Sequence, residues 1–273
     1  MTIDAANGLV TLSAQPQAIV SLSPTATEML FAIGAGSQVV AVDDQSDYPE
    51  GVPTTDLSGF TPNIEAIASY QPDLVVVSND IDNLVAALDE LKISVLLAPA
   101  AVEVFDVYTQ IEQLGVATGH VPEAKAINDQ LASEFEDIKT SLLGAPTGPV
   151  SYYHELDPSY YSVTSTTFIG RVYGLLGLES IADPADQDGF GYPQLTAEFI
   201  LAADPDLIFL ADTECCSQNA ATIAERPGWG ELTAVKNGNV VEMSDDVASR
   251  WGPRLVDLLK SAAGAITSLQ EAA

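Results

Sequence analysis

Basic residues are scarce in this chain: nine lysines and arginines stand against 39 aspartates and glutamates, a formal charge of −30 at neutral pH. Such a surface repels phosphate backbones and anionic lipid at long range. That excludes nucleic-acid binding and leaves solubility, a saline exterior or attraction of a basic partner as what the acid serves. The four arginines, Arg171, Arg226, Arg250 and Arg254, all fall in the second half, suited to pairing a local carboxylate or contacting a ligand. Only two cysteines occur, and Cys215 and Cys216 are neighbours. Without spaced partners they make no zinc or iron–sulfur site. They either close a ring between themselves or stand as two thiols in a loop.

No apolar run reaches the roughly 18 residues that span a bilayer. Met1-Thr2-Ile3-Asp4 lacks the basic start and apolar core of a secretory signal. If the protein is exported, its signal or lipid-anchor segment is expected to have been removed. Enzyme signatures are missing too: no Gly-rich phosphate loop follows the first strand, and there is no Gly-x-Ser-x-Gly elbow or His-Glu-x-x-His helix. No catalytic set and no metal site is read. The carboxylate pairs Asp43-Asp44, Asp245-Asp246 and Glu155/Asp157 read as chance products of an acid-rich chain.

What is present is a repeat. Asn63-Ile64-Glu65-Ala66-Ile67-Ala68 leads to Pro72-Asp73-Leu74-Val75-Val76-Val77, and Leu195-Thr196-Ala197-Glu198-Phe199-Ile200 leads to Pro205-Asp206-Leu207-Ile208-Phe209-Leu210. In each copy a glutamate opens a short helix, Pro-Asp-Leu follows seven residues later, and an apolar run comes next. Apolar runs of that kind read as buried strands of a parallel sheet. Upstream of each copy lies a hydroxyl-rich N-cap, an apolar helix and a Gly stop, at Ser23 to Gly34 and Thr164 to Gly177. The fold class is therefore α/β: two Rossmann-like lobes with parallel sheets, and a ligand cleft between them.

Strands are expected at Leu9 to Leu12, Ala18 to Leu22, Gln38 to Val42, Leu74 to Val77 and Ser94 to Leu97, with helices over Leu84 to Leu91 and Val104 to Leu114. The second half repeats the scheme with strands Val150 to Tyr153, Leu207 to Leu210 and Asn239 to Met243. Its helices are Thr166 to Leu176, Ala197 to Ala203, Ala220 to Glu225 and Pro253 to Leu269. Between the halves, Glu123 to Leu143 contains no Gly or Pro and sets Ile127, Leu131, Phe135, Ile138 and Leu142 on one stripe, ended by Gly144 to Pro149. It reads as one long, stiff joining helix. Domains are assigned as residues 1–120, a linking helix over 121–144, and a second lobe over 145–273.

Ile19-Val20-Ser21-Leu22-Ser23-Pro24-Thr25-Ala26-Thr27-Glu28, then Ser46-Asp47-Tyr48-Pro49, Asn63-Ile64-Glu65 with Pro72-Asp73-Leu74, and finally Arg250-Trp251-Gly252-Pro253-Arg254, occur in that order. In this the chain resembles the helical-backbone substrate-binding proteins of ABC importers, which carry cobalamin, ferric siderophores or haem. The resemblance spans essentially the whole chain and is less specific for the ligand than for the family. It implies an extracytoplasmic, monomeric protein, not an enzyme. Such a protein touches the membrane only through a removed lipid anchor and needs no cofactor of its own, the ligand bringing its cobalt or iron. Its expected partners are the permease subunits of an importer and a small-molecule metal chelate.

The resemblance makes Glu65 and Glu198, one per lobe, the carboxylates that dock on permease arginines. It makes Tyr48 and Phe60 ligand contacts in the first lobe. In the second lobe the aromatics Tyr152, Tyr153, Tyr160, Tyr161, Tyr192 and Trp251 are candidates, since aromatic faces suit a flat, partly apolar ligand. Of Tyr152 and Tyr153, alternation along a strand lets only one face the cleft. The expected contacts are thus Tyr48, Phe60, Tyr153, Tyr161, Tyr192, Arg250 and Trp251. His154 reads as a structural histidine bonded to a loop carbonyl or carboxylate, with an iron ligand, it or a neighbouring tyrosine, as the alternative in a haem carrier. A corrinoid such as cobalamin, nearly neutral, is favoured over anionic siderophores for want of clustered basic residues. Ferric hydroxamates and haem remain alternatives. From other classes, the rivals are a metal-dependent two-domain α/β enzyme and an interaction protein without a small ligand.

Overall fold

The computed structural model describes residues 1–143 and 148–272. Two compact units account for them: Met1–Ala132 with Trp251–Pro253, and Ser133–Arg250 with the segment from Arg254 onward.

The first unit opens with an antiparallel hairpin of β1 (Thr2–Ala5) and β2 (Gly8–Thr11). Its parallel sheet is built from β3 (Ile19–Leu22), β4 (Val39–Asp43), β5 (Thr54–Leu57), β6 (Leu74–Val77) and β7 (Ser94–Leu97), in the order β5-β4-β3-β6-β7. Helices α1 (Pro24–Ala32), α2 (Ile64–Ser69), α3 (Leu84–Glu90) and α4 (Val104–Thr118) connect and cover them. Every residue of β3 and β6 is buried, as continuous apolar runs in a sheet covered on both faces require. Gly119, at a φ of +78°, ends α4 in the left-handed conformation that glycine adopts without strain.

Helix α5 (Val121–Ser141) follows. Of the expected stripe, Leu131, Phe135 and Ile138 are buried and Ile127 and Leu142 half-buried, with Ala124 also buried. The chain passes from one unit to the other inside this helix, between Ala132 and Ser133. Of the expected Gly144 to Pro149 break and the boundary at 145, residues 144–147 lie outside the described residues.

The second unit holds a four-stranded parallel sheet of β8 (Val150–Glu155), β9 (Leu178–Ser180), β10 (Leu207–Leu210) and β11 (Val240–Glu242), in the order β11-β10-β8-β9. Around it run α6 (Phe168–Gly174), α7 (Ala197–Ala203), α8 (Thr213–Cys216), α9 (Ala220–Ala224), α10 (Thr233–Lys236), α11 (Asp245–Ser249) and α12 (Leu255–Ala272).

The repeat has a common mechanical cause. Asn63 caps α2 by accepting from the Ala66 amide, and Thr196 caps α7 by accepting from that of Phe199. Each Pro-Asp-Leu aspartate then pins the start of the neighbouring strand. Asp73 Oδ2 accepts from the amides of Gln17 (2.8 Å) and Ala18 (3.1 Å), just ahead of β3. Asp206 Oδ2 accepts from the amide (2.8 Å) and hydroxyl (2.7 Å) of Ser151 in β8. The same residue thus sets the register between two central strands in both units.

The expected Leu9 to Leu12 strand is present, two edge strands were not foreseen, and one residue changes unit. The Leu9 to Leu12 segment pairs with Thr2–Ala5 in the hairpin and not in the main sheet. Edge strands β5 and β9 escaped the reading because Thr54-Thr55-Asp56 and Glu179 carry no apolar run. Trp251, assigned to the second lobe by its place in the chain, packs with the first unit, where its indole N–H donates to Gln110 Oε1 at 3.0 Å.

Candidate functional site

In the first unit the loops leaving the carboxyl ends of β4 and β5 carry two exposed aromatics, Tyr48 and Phe60, the latter 70% exposed. Both loops are held from beneath. Thr27 on α1 donates to Ser21 Oγ (2.9 Å) and shares a hydrogen bond with Ser46 (3.0 Å), fixing the Ser46-Asp47-Tyr48-Pro49 turn, whose Tyr48–Pro49 bond is cis. Ser58 Oγ accepts from the amides of Phe60 and Thr61. Gly59 lies so near the end of β3 that a Cβ there would meet the Leu22 carbonyl oxygen at 2.6 Å, so the close approach needs glycine. One hollow of this unit, of about 480 Å³, lies away from these loops and is lined by Asp4, Leu97, Pro99, Asp106 and Gln113.

In the second unit Tyr161, Phe190 and Tyr192 are exposed, Phe190 the most at 81%. Tyr161 bridges to Gln194, and the Ser162 and Thr164 amides donate to the carbonyls of Pro193 and Gly191, so the two segments run side by side. Asp186 accepts from the amides of Phe190 (3.1 Å) and Gly191 (2.9 Å). Gly191, at φ +85° and with Thr167 Cγ2 only 2.7 Å from where a Cβ would sit, shapes the bend that presents both rings. Phe190 was missed by the sequence reading. Its signal was available, since an apolar ring inside Asp186-Gln187-Asp188-Gly189-Phe190-Gly191 has no helix or strand face to pack on.

The expectation for Tyr153 fails. Its ring packs edge-on against Trp229 and its hydroxyl donates to Glu155 at 3.0 Å, with no exposed surface. Tyr152, on the opposite face, is equally buried against Tyr173 and Phe209. Alternation does not bring one of them out, because helices cover both faces of this sheet. His154 is also fully buried; Nδ1 pairs with the Tyr173 hydroxyl at 3.1 Å, and burial drives its pKa down to about 3. His154 is thus structural and not an accessible iron ligand, but its ring lacks the expected carbonyl or carboxylate partner, and its Nε2 meets no partner among the described residues.

Each arginine has an intramolecular partner. Arg250 and Arg254 pair with Asp246, Arg171 Nε donates to the Thr166 carbonyl, and Arg226 forks onto Glu155 through two 2.6 Å bonds. Glu155 is therefore no chance surface carboxylate: it is fully buried at the end of β8. Beside it lies the fully buried Asp212, and Arg226 extends over the Trp229 ring, 4.7 Å from its centroid. Burial first, and the Glu155 charge second, push Asp212 up to about 7.

Cys215 and Cys216 form a disulfide in α8, directly after β10. Asp245 anchors that turn by accepting from the amides of Glu214 (3.0 Å) and Cys215 (2.8 Å). Glu65 and Glu198 are both exposed, each in the first turn of its capped helix. Among the described residues no group of His, Cys, Asp and Glu is arranged to hold a metal ion, and no helix is long and apolar enough to cross a membrane.

Two parallel-sheet α/β units sharing one long helix, with aromatic rings raised on loops at the carboxyl ends of the strands, define a binding protein of the helical-backbone kind. The chain belongs to the periplasmic binding protein family, which matches residues 19–247. It is 32% identical to an uncharacterized ABC transporter substrate-binding lipoprotein, YvrC, of Bacillus subtilis, over 96% of this chain and 84% of that one. It is 28% identical to a cobalamin-binding protein of Halobacterium salinarum, over 96% and 72% of the two chains. Among solved structures, the periplasmic vitamin B12 binding protein BtuF of Vibrio cholerae shares the fold with a TM-score of 0.79 at 24% identity, covering 94% of this chain and 98% of that one.

Proposed function

We propose that the protein is the extracytoplasmic substrate-binding component of an ABC importer, a monomer that captures a corrinoid such as cobalamin and hands it to the permease. Tyr48, Phe60 and Trp251 of one unit, and Tyr161, Phe190, Tyr192 and Arg250 of the other, are the residues assigned to the ligand. Glu65 and Glu198 are the carboxylates that meet the permease.

One observation carries the choice of ligand: the exposed aromatics sit on braced loops while every arginine is engaged with a group of its own chain. An anionic catecholate would need those guanidiniums, and the field of 30 excess negative charges opposes it. A nearly neutral corrin needs apolar and aromatic walls, which the raised rings supply. Burial removes His154 as a haem ligand and leaves only a tyrosine for that role. The name of the Halobacterium relative supports the same ligand class. The test is the visible spectrum of the protein mixed separately with cobalamin, haemin and a ferric hydroxamate, followed by gel filtration. Cobalamin colour co-eluting with the protein is expected. Retention of only haemin or the hydroxamate would replace the ligand, and retention of none would remove the reading.

A further inference from the structure

The Glu155–Asp212 pair has two carboxyl groups and one cation. Arg226 gives Nη1 and Nη2 to Glu155 and its remaining reach to Gln218 Oε1 at 2.8 Å, while Tyr153 adds a third donor to Glu155 at 3.0 Å. Glu155 is thus a well-served carboxylate. Asp212, equally buried, follows Ala211, whose amide donates to the Glu155 carbonyl at 2.9 Å, yet neither of its carboxylate oxygens meets an N–H or O–H donor among the described residues. A buried carboxylate without a donor, set against a second carboxylate, is costly as an anion and holds its proton well above the ordinary carboxylate range. A proton on Asp212 removes that charge and supplies an O–H that Glu155 can accept, leaving the other Asp212 oxygen as a neutral acceptor.

We propose that the folded protein holds one proton between Asp212 and Glu155, and that losing it toward alkaline pH loosens the segment from Asp212 to Arg226. That segment hangs on the cluster at both ends. Asp212 stands at the N-terminal end of α8 without a side-chain bond to it, and its carbonyl accepts from the Gln218 amide, while Gln218 joins Arg226 to the Cys216 carbonyl. Once Asp212 ionises it competes with Glu155 for the one guanidinium or draws water in, and either outcome slackens α8, its disulfide and α9. The charged and titratable groups facing Asp212 are Glu155 and Tyr153 from β8, Arg226 beyond α9 and Asp245 from α11. Of these only Arg226 is a cation, so no neighbour takes up the second negative charge.

The sign follows from proton counting. The folded state binds a proton that the unfolded chain releases near the ordinary value of 3.8, so stability falls as pH rises from about 4 to about 7 and is level above. The experiment measures urea unfolding from pH 5 to 8 for the intact chain and for Asp212→Asn, a comparison that cancels all titrations the two share. The folding constant of the wild type relative to the variant is expected to fall by about tenfold per pH unit below pH 7, the slope of one proton. Hydrogen-exchange protection of the 213–226 amides is expected to fall from pH 6 to 8 in the wild type alone. Equal pH slopes in the two proteins would overturn the proposal. Should Asp212→Asn not fold, carbon-13 titration of aspartate-labelled wild type decides. A side-chain carboxyl with a midpoint near 7 upholds the proton, and all midpoints in the ordinary carboxylate range refute it.

Discussion

Asp73 and Asp206 occupy matching places and accept matching bonds, so their removal has a calculable effect. Asp206→Ala leaves the Ser151 amide and hydroxyl without their acceptor, and stability is expected to drop by about 1–3 kcal/mol in urea titration. His154 acts in the opposite sense to Asp212 on the pH axis. Its folded value of about 3 lies below the ordinary 6.5, so the unfolded chain takes up a proton that the folded one refuses, and stability falls as pH drops from 6.5 toward 3. His154→Phe is expected to flatten that acid limb relative to the wild type, which thermal melts from pH 3 to 7 would register. The exposure of Tyr48, Phe60, Tyr161 and Tyr192 was legible from their place among turn residues, whereas Tyr160, beside Tyr161, stacks on Trp229 instead. Tyr153 was misjudged because alternation says which face a side chain takes, not whether that face is covered.

The central strands and the long helix were legible for the same reason at the scale of elements. Leu74–Val77 and Leu207–Leu210 are apolar throughout because they are buried on both sides, and the stripe of α5 shows in its spacing. Edge strands β5 and β9 bury less and announce less. The braced loop at Asp186 to Tyr192 is the element on which the binding proposal depends most. Gly191→Ala forces a positive φ on a Cβ that already meets Thr167, at a cost of about 1–3 kcal/mol to that loop. Affinity for the retained ligand in titration calorimetry is expected to fall more than global stability. Tyr192→Ala, which leaves the loop backbone alone, is expected to weaken binding by about 1–3 kcal/mol. Unchanged affinity in both variants would move the contact surface elsewhere.

The whole molecule carries its acid excess over both units, and Glu65 and Glu198 must be told apart from that background. The double substitution Glu65→Ala/Glu198→Ala is expected to abolish uptake in vesicles containing the permease while leaving ligand affinity intact. Raised salt, which screens diffuse attraction beyond about 8–10 Å, should deepen the difference from the wild type. Loss of ligand binding together with uptake would refute the docking role. The pair was visible in the sequence as a repeat. The buried Glu155–Asp212–Arg226 cluster was not, because its members come from three separate stretches and only the sheet brings them together.

The return of Trp251 to the first unit leaves the chain with one indole in each: Trp229, fully buried among Tyr153 and Tyr160 in the second, and Trp251 beside Gln110 in the first. Intrinsic fluorescence therefore reads the units separately once one tryptophan is replaced by phenylalanine. A Trp251→Phe protein glows only from beneath the Arg226 guanidinium, where charge and water entry change the emission wavelength. A Trp229→Phe protein glows only from the first unit and provides the control. The molecule comes with its own pair of optical probes, and no dye needs to be attached to follow either half as it unfolds, titrates or takes up ligand.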